Sequence, residues 1–245
     1  MRLVAALLFL PLAAMPLSAC GSVSLNDMSG TVVPSSGSGG QRSFAADGFT
    51  RIELRGADDV DVRTGPSFAV RAEGDPAVLD KIEVRKDGDT LRIGRKGQFN
   101  WSDGGGRARV FVVLPRLVGA SIAGSGDMNV ERADGDFSGS IAGSGNLRVA
   151  RLSGGKADLS IAGSGNLSIA GTADALHSAI AGSGDVDAAG LRAATADIST
   201  AGSGSTRATV SGPAKISIIG SGDVTVRGGA QCTISKVGSG DADCG

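Results

Sequence analysis

From Phe44 to Pro115 apolar and polar residues alternate. The stretches "FTRIELRG", "DDVDVRT", "FAVRAEG", "KIEVRKDG", "DTLRIGR" and "ARVFVVLP" each set apolar side chains two apart with charged ones between. Period two over four to eight residues, cut by Gly, Pro and Asp, predicts half-buried strands. Only the stretch from Asp75 to Lys81 suits a helical turn, and no segment holds a 3.6-residue period over a dozen positions. The chain reads as all-β.

Beyond Val118 the alternation becomes a repeat. Gly-Ser-Gly recurs with its first glycine at Gly124, Gly143, Gly163, Gly182, Gly202, Gly220 and Gly238, in steps of 19, 20, 19, 20, 18 and 18 residues. Each copy is too small to bury its own apolar face, so neighbours must complete it, which predicts a stacked architecture. A propeller blade takes about 40 residues and leucine-rich repeats show leucine at fixed places. A β-solenoid of about seven 18–20-residue coils fits instead, preceded by less regular strands.

Aligned on that glycine, like residues fall into columns. Two before it stand Ile122, Ile141, Ile161, Ile180, Thr200, Ile218 and Lys236; four after it stand Met128, Leu147, Leu167, Val186, Thr206, Val224 and Ala242. These are the predicted inward columns, one coil about 4.8 Å above the next. The triplet is then a corner between two strands, where glycine supplies positive φ and close backbone passage. Lys236 marks a terminal coil whose inner edge meets water.

Three and one before the glycine, Ser121/Ala123, Ser140/Ala142 and Ser160/Ala162 begin a flat, uncharged outer face. Ladder packing explains it, and so does a docking surface for a second protomer or a flat polymer. The residues leave both open.

The amino terminus predicts export. Arg2 and the apolar run Leu3 to Leu12, too short to span a bilayer, make residues 1–19 a signal peptide. Leu17-Ser18-Ala19-Cys20 resembles the lipobox of bacterial lipoproteins. That resemblance implies lipidation at Cys20, anchoring by three acyl chains, and, with Gly21 rather than Asp next, the outer membrane. An ordinary signal peptide with a soluble periplasmic or secreted product is the alternative. Residues 20–43 are Ser- and Gly-rich and read as a flexible linker, residues 44–117 as an amino-terminal strand region, and residues 118–245 as the solenoid.

Composition narrows the chemistry. Glycine supplies 40 of 245 residues without a period of three, and 41% hydrophobic residues exclude disorder. Lys+Arg at 24 against Asp+Glu at 25 excludes the basic surplus of a nucleic-acid binder. His177 is the only histidine, so a histidine metal site is not expected. The Gly-Ser-Gly triplet opens a strand, not a helix, and lacks the Lys-Ser/Thr of a phosphate loop.

Calcium would need several carboxylates, and only Asp223, Asp241 and Asp243 offer a cluster; turn chemistry explains the Asp/Asn position after the triplet. Phe137 is the only aromatic residue of the repeat and falls on an inward column, which leaves no sugar platform for a polysaccharide-cleaving site. Arg132 and Arg151 form a short basic ladder on a solvated face. Phe99 and Trp101 share a face and read as a lid or a contact tip. No catalytic residue, cofactor or metal is expected.

Cys232 and Cys244 lie six residues to either side of Gly238, each on an inward column, and in an oxidising compartment predict a disulfide that ties down the last coil.

Ile52-Glu53-Leu54, Asp59-Val60-Asp61-Val62, Leu91-Arg92-Ile93, the Leu114-Pro115 step and the Gly-Ser-Gly-Asp/Asn series together resemble the putative auto-transporter adhesin, head GIN domain family. The resemblance implies a right-handed β-solenoid of the bacterial envelope and carries over no catalytic residue. The expected function is a non-enzymatic envelope lipoprotein that binds or adheres, with a membrane contact through its anchor and a protein or polysaccharide ligand. A purely structural envelope protein and a polysaccharide-acting enzyme are the alternatives.

Overall fold

The computed structural model of the protein describes residues 29–97 and 106–245. Within them the chain forms β1 (Thr31–Val32), β2 (Ser35–Ser36), β3 (Gln41–Phe44), β4 (Arg51–Gly56), β5 (Asp59–Thr64), β6 (Ala69–Glu73), α1 (Pro76–Leu79), β7 (Ile82–Asp87), β8 (Thr90–Arg95) and β9 (Arg109–Leu114). The repeat follows as β10 (Gly119–Gly124), β11 (Asp127–Val130), β12 (Ala133–Asp134), β13 (Phe137–Gly143), β14 (Asn146–Ser153), β15 (Lys156–Gly163) and β16 (Asn166–Gly182). It ends with β17 (Asp185–Gly202), β18 (Thr206–Val210), β19 (Pro213–Gly220), β20 (Val224–Arg227), β21 (Gln231–Val237) and β22 (Ala242–Cys244). Among the described residues the one helical turn, α1, starts where Asp75 accepts a hydrogen bond from the Ala77 amide at 2.8 Å and Pro76 presets the first φ.

These strands stack as a β-solenoid of about seven turns. Before each corner runs the parallel ladder β10, β13, β15, β16, β17, β19, β21; after it run β11, β14, β16, β17, β18, β20, β22. Ile122, Ile141, Ile161 and Ile180 lie in register and buried, as do Met128, Leu147, Leu167 and Val186. Full burial of such a side chain is worth about 1.5–3 kcal/mol, and the stack gains it at each of these four levels. Coil length varies, yet the corners never slip. The differences are absorbed by register shifts far from the corner, between Val149 and Leu152, Ser168 and Ala170, and Ala188 and Arg192.

From Gly124 to Gly202 the carbonyl of the first glycine accepts two amides from the next coil, and Gly220 O accepts the Gly240 amide at 3.1 Å. Ser144 and Gly145 donate to Gly124 O at 2.9 and 3.1 Å, and Ser164 and Gly165 donate to Gly143 O at 2.9 and 3.0 Å. The two glycines serve different needs. The first, from Gly124 to Gly238, holds φ between 121° and 140°, and a Cβ on Gly163 would stand 2.3 Å from Gly143 O. The third residue is excluded from carrying a side chain by approach alone: a Cβ on Gly165 would stand 2.3 Å from Gly145 O.

The amino-terminal strands join the same stack out of chain order. β4 pairs in parallel with β10 on one side and β8 on the other, and β5 likewise lies between β11 and β9. Gly56, at φ 120°, stands in register below Gly124, so Gly56-Ala57-Asp58 is the first corner. Asp58 is fully buried and takes Arg95 in two hydrogen bonds of 2.9 and 2.6 Å, with a third from the Ala108 amide. That carboxylate ties the ends of β8 and β9 to the corner.

The linker expected over residues 20–43 is shorter than its composition implies. β7 pairs antiparallel with β8 and β1 with β7, while β6 covers β9, β3 covers β6 and β2 covers β3, all antiparallel. The Ser- and Gly-rich segment therefore pairs from Thr31 onward and buries Val33. The gain is a covered sheet edge.

At the other end the stack simply stops. Ile234 continues the buried column of Ile198 and Ile216 but is 45% exposed, and the exposed Lys236 turns its Nζ to Gly240 O at 3.0 Å. Here Cys232 and Cys244 are bonded, with Cα atoms 6.4 Å apart, inside the bridging range. The two strands thus run much closer at these positions than the ~10 Å of packed sheets. Ala214 and Val226 hold the equivalent places one coil lower, and Ala196 and Ala208 two coils lower.

Two outcomes follow. Gly163→Val is expected to lose roughly 2–4 kcal/mol, combining overpacking with an unfavourable φ. Gly154→Ala, where a Cβ meets nothing within 4 Å, loses only the φ contribution; thermal unfolding by circular dichroism compares them. The Cys232–Cys244 bond closes a loop of separation 12 and in the chain-entropy model stabilises by about 3 kcal/mol. Exported protein should yield neither thiol to alkylation before reduction, and the double serine variant should melt earlier.

Candidate functional site

Two outward faces flank the corner ladder. On the strands before it, Ser121, Ser140 and Ser160 are in register, as are Ala123, Ala142 and Ala162. Ser121, Ala123 and Ser140 are half-buried; Ala142, Ser160 and Ala162 are exposed. Toward the amino-terminal end the columns turn ionic, because Ser121 is level with Glu53 and Ala123 with Arg55. Glu53 accepts Arg55 Nε at 2.6 Å and Arg92 Nε at 2.9 Å, and Arg92 also meets Asp87 at 3.0 Å. Toward the carboxyl end they turn apolar, with Ile219 60% and Val237 69% exposed on adjacent strands. The result is a smooth patch between a charged border and an oily one.

On the strands after the corner lies a groove. One wall is the column three residues past the first glycine, Asp127, Asn146, Asn166 and Asp185; the other stands two residues on, Asn129, Arg148, Ser168 and Asp187. Between them is an open depression of about 480 Å³ floored by Leu147 and Leu167.

The first wall is stitched from coil to coil. Asn146 Nδ2 donates to Asp127 Oδ1 at 2.8 Å and Asn166 Nδ2 donates to Asn146 Oδ1 at 3.0 Å. Further along, Asp185 Oδ1 accepts the Ser205 amide at 2.8 Å, and Asp223 Oδ1 accepts the Asp241 amide at 2.9 Å. The Asp/Asn position thus ties one coil to the next instead of only turning its own chain. The groove's amino-terminal end is bounded by Arg107 with Asp59 at 3.3 Å and Arg109 with Asp61 at 3.2 Å.

The remaining candidates disperse. Cys20, Phe99 and Trp101 lie outside the described residues. His177 and Arg151 are exposed, and Arg132 pairs with Asp134 at 2.9 Å. Asp243 pairs with Arg227 at 2.7 Å, away from the Asp223–Asp241 contact. Among the described residues no group of three or more His, Cys, Asp or Glu is placed to hold a metal ion. The sequence reading missed the groove. Its signal was the second wall, which alternates with the inward column and is polar in four successive coils.

The same architecture occurs in solved structures. A putative adhesin from Bacteroides fragilis superposes with a TM-score of 0.73 at 21% identity, covering 83% of this chain and 95% of that one. A putative adhesin from Parabacteroides merdae gives 0.67 at 17% identity over 84% and 95%. A putative lipid binding protein from Parabacteroides distasonis gives 0.63 at 20% over 84% and 96%. At these identities the likeness shows the fold. No curated protein matches the chain. The family model for the putative auto-transporter adhesin, head GIN domain, matches residues 48–230, from just before the first coil almost to the last, and the chain belongs to that family.

Proposed function

We propose that the protein is a non-enzymatic binding scaffold of the cell envelope, exported by residues 1–19 and held in the outer membrane through a lipidated Cys20. The observation that carries the reading is the in-register repetition of outward residues on both sides of the corner. Repetition offers the same contacts at successive levels, which suits an extended partner, whereas catalysis needs one special place. The neighbours named as adhesins support binding, and the one named as lipid binding supports a contact near membrane.

The Ser/Ala face is the surface for a flat partner, a second protomer included. Glutamate at both Ala142 and Ala162 should then abolish self-association seen by sedimentation; unchanged sedimentation and unchanged ligand binding remove this face from the proposal.

The full exported chain, tested on arrays of glycans and matrix proteins, should show saturable binding. A purely structural envelope component shows none, and an enzyme is revealed by depolymerisation that disappears when one carboxylate is substituted. For the anchor, Cys20→Ala should shift the protein from the membrane to the soluble envelope fraction. An unchanged membrane fraction would overturn lipidation.

A further inference from the structure

We infer that the groove between the Asp127–Asp185 and Asn129–Asp187 columns binds a linear, uncharged, hydroxyl-rich polysaccharide chain laid along the stack. The inference rests on the binding-scaffold reading and gives it a site and a ligand class.

Shape comes first. The walls are residues i and i+2 of successive parallel strands, so they stand about 6.6 Å apart and advance about 4.8 Å per coil. Four coils make a slot about 14 Å long, open on top and along its course. An extended chain fits such a slot and a compact ligand does not.

Chemistry narrows the occupant. Asn146 and Asn166 each spend one N–H on the ladder, which leaves a second donor and free acceptor capacity on each amide. Asp185 and Asp187 each have Oδ1 engaged by a backbone amide, from Ser205 and Ala189, leaving Oδ2 to accept. Ser168 adds a hydroxyl and Arg148 a guanidinium fork. Donors and acceptors are therefore interleaved along both walls. A sugar hydroxyl donates and accepts at once, so a polyol chain satisfies both kinds at every level.

Other classes fit worse. Asp127 lies 3.8 Å from Arg107, while Asp185 and Asp187 still outnumber Arg148 in the lining, so a polyanion meets net repulsion. A cationic peptide would use the carboxylates but leave amide N–H groups and Arg148 facing its charge. An apolar chain would strip water from carboxylates and amides and return no hydrogen bonds. With no aromatic side chain among the described residues of the lining, each coil contributes little. Affinity then comes from many weak contacts made along one chain and must rise with polymer length.

The test uses the full exported chain in titration against soluble β-glucan, xylan and galactomannan, with short oligosaccharides of each and with polygalacturonate. At least one neutral polymer should bind, with affinity rising with length. Ser168→Ile, which fills the groove with aliphatic bulk, and Arg148→Ala, at an exposed position, should each weaken that binding about tenfold or more while the melting curve holds. Binding of neutral polymers that ignores both substitutions, affinity independent of chain length, or preference for polygalacturonate overturns the inference. So does binding of protein partners alone, although the scaffold reading would then survive. An array without any partner overturns both.

Discussion

The molecule depends on one contact, the carbonyl of a corner glycine accepting two amides from the coil above it. Ser183 and Gly184 reach Gly163 O, and Ser203 and Gly204 reach Gly182 O, in the geometry that holds from Gly124 to Gly202. The approach leaves no room for a Cβ on either glycine, so the corner fixes both spacing and register. Once register is fixed, period-two alternation sends every second residue inward at every level. Core columns and outward columns follow from the same constraint. Length differences are then tolerated only at the bulged side, where the register shifts occur.

A stack held this way has no natural end, and its two ends are closed by different physics. At the amino-terminal end antiparallel strands take up the open edges, and the buried Asp58–Arg95 pair fastens the first corner to β8. Removing one partner of such a pair leaves a buried charge and costs about 3–5 kcal/mol, so the closure is brittle but specific. At the carboxyl end a covalent bond replaces packing, and Ile234 and Lys236 occupy inward columns without a coil above them. Within the stack small costs are tolerated. Ser178, Thr200 and Thr206 bury hydroxyls that find no hydrogen-bond partner among the described residues, each a penalty of about 1–3 kcal/mol. Thr200 and Thr206 flank a single corner, so that coil is a weaker level than its neighbours.

The repeat was legible because its constraint is written as an unusual residue at a fixed spacing. The corner, the inward columns of Ile161 and Leu167, and the Cys232–Cys244 bond could all be read from alignment on one glycine. The first coil escaped the same alignment. Gly56-Ala57-Asp58 lacks the serine and the third glycine, since the neighbour on its outer side is β8 and the Asp58 carboxylate does the joining. The chain order hides it further, because β4 finds its parallel partners in β8 and β10, both distant in sequence. Pairing of residues 31–44 was masked by a composition that matches a linker. The groove went unseen for another reason: a polar outward residue reads as solvated surface until its neighbours in other coils are known.

The two walls of the groove are not equivalent, and this shapes how binding and stability are separated. Asp127, Asn146 and Asn166 close the coils onto one another as well as lining the depression. Changing them alters the ladder and the surface together. Arg148 and Ser168 stand on the other side of the inward column of Leu147 and Leu167 and take no part in that stitching. Past Asn129, whose Nδ2 donates to Asp61 Oδ1 at 3.2 Å, the second wall is therefore where the chemistry of the surface can differ from coil to coil at little cost to the stack. It does differ, running from an amide through a guanidinium and a hydroxyl to a carboxylate at Asn129, Arg148, Ser168 and Asp187. A solenoid thus divides the work within a single strand: one outward column holds the levels in place, and the next, two residues on, determines what they present.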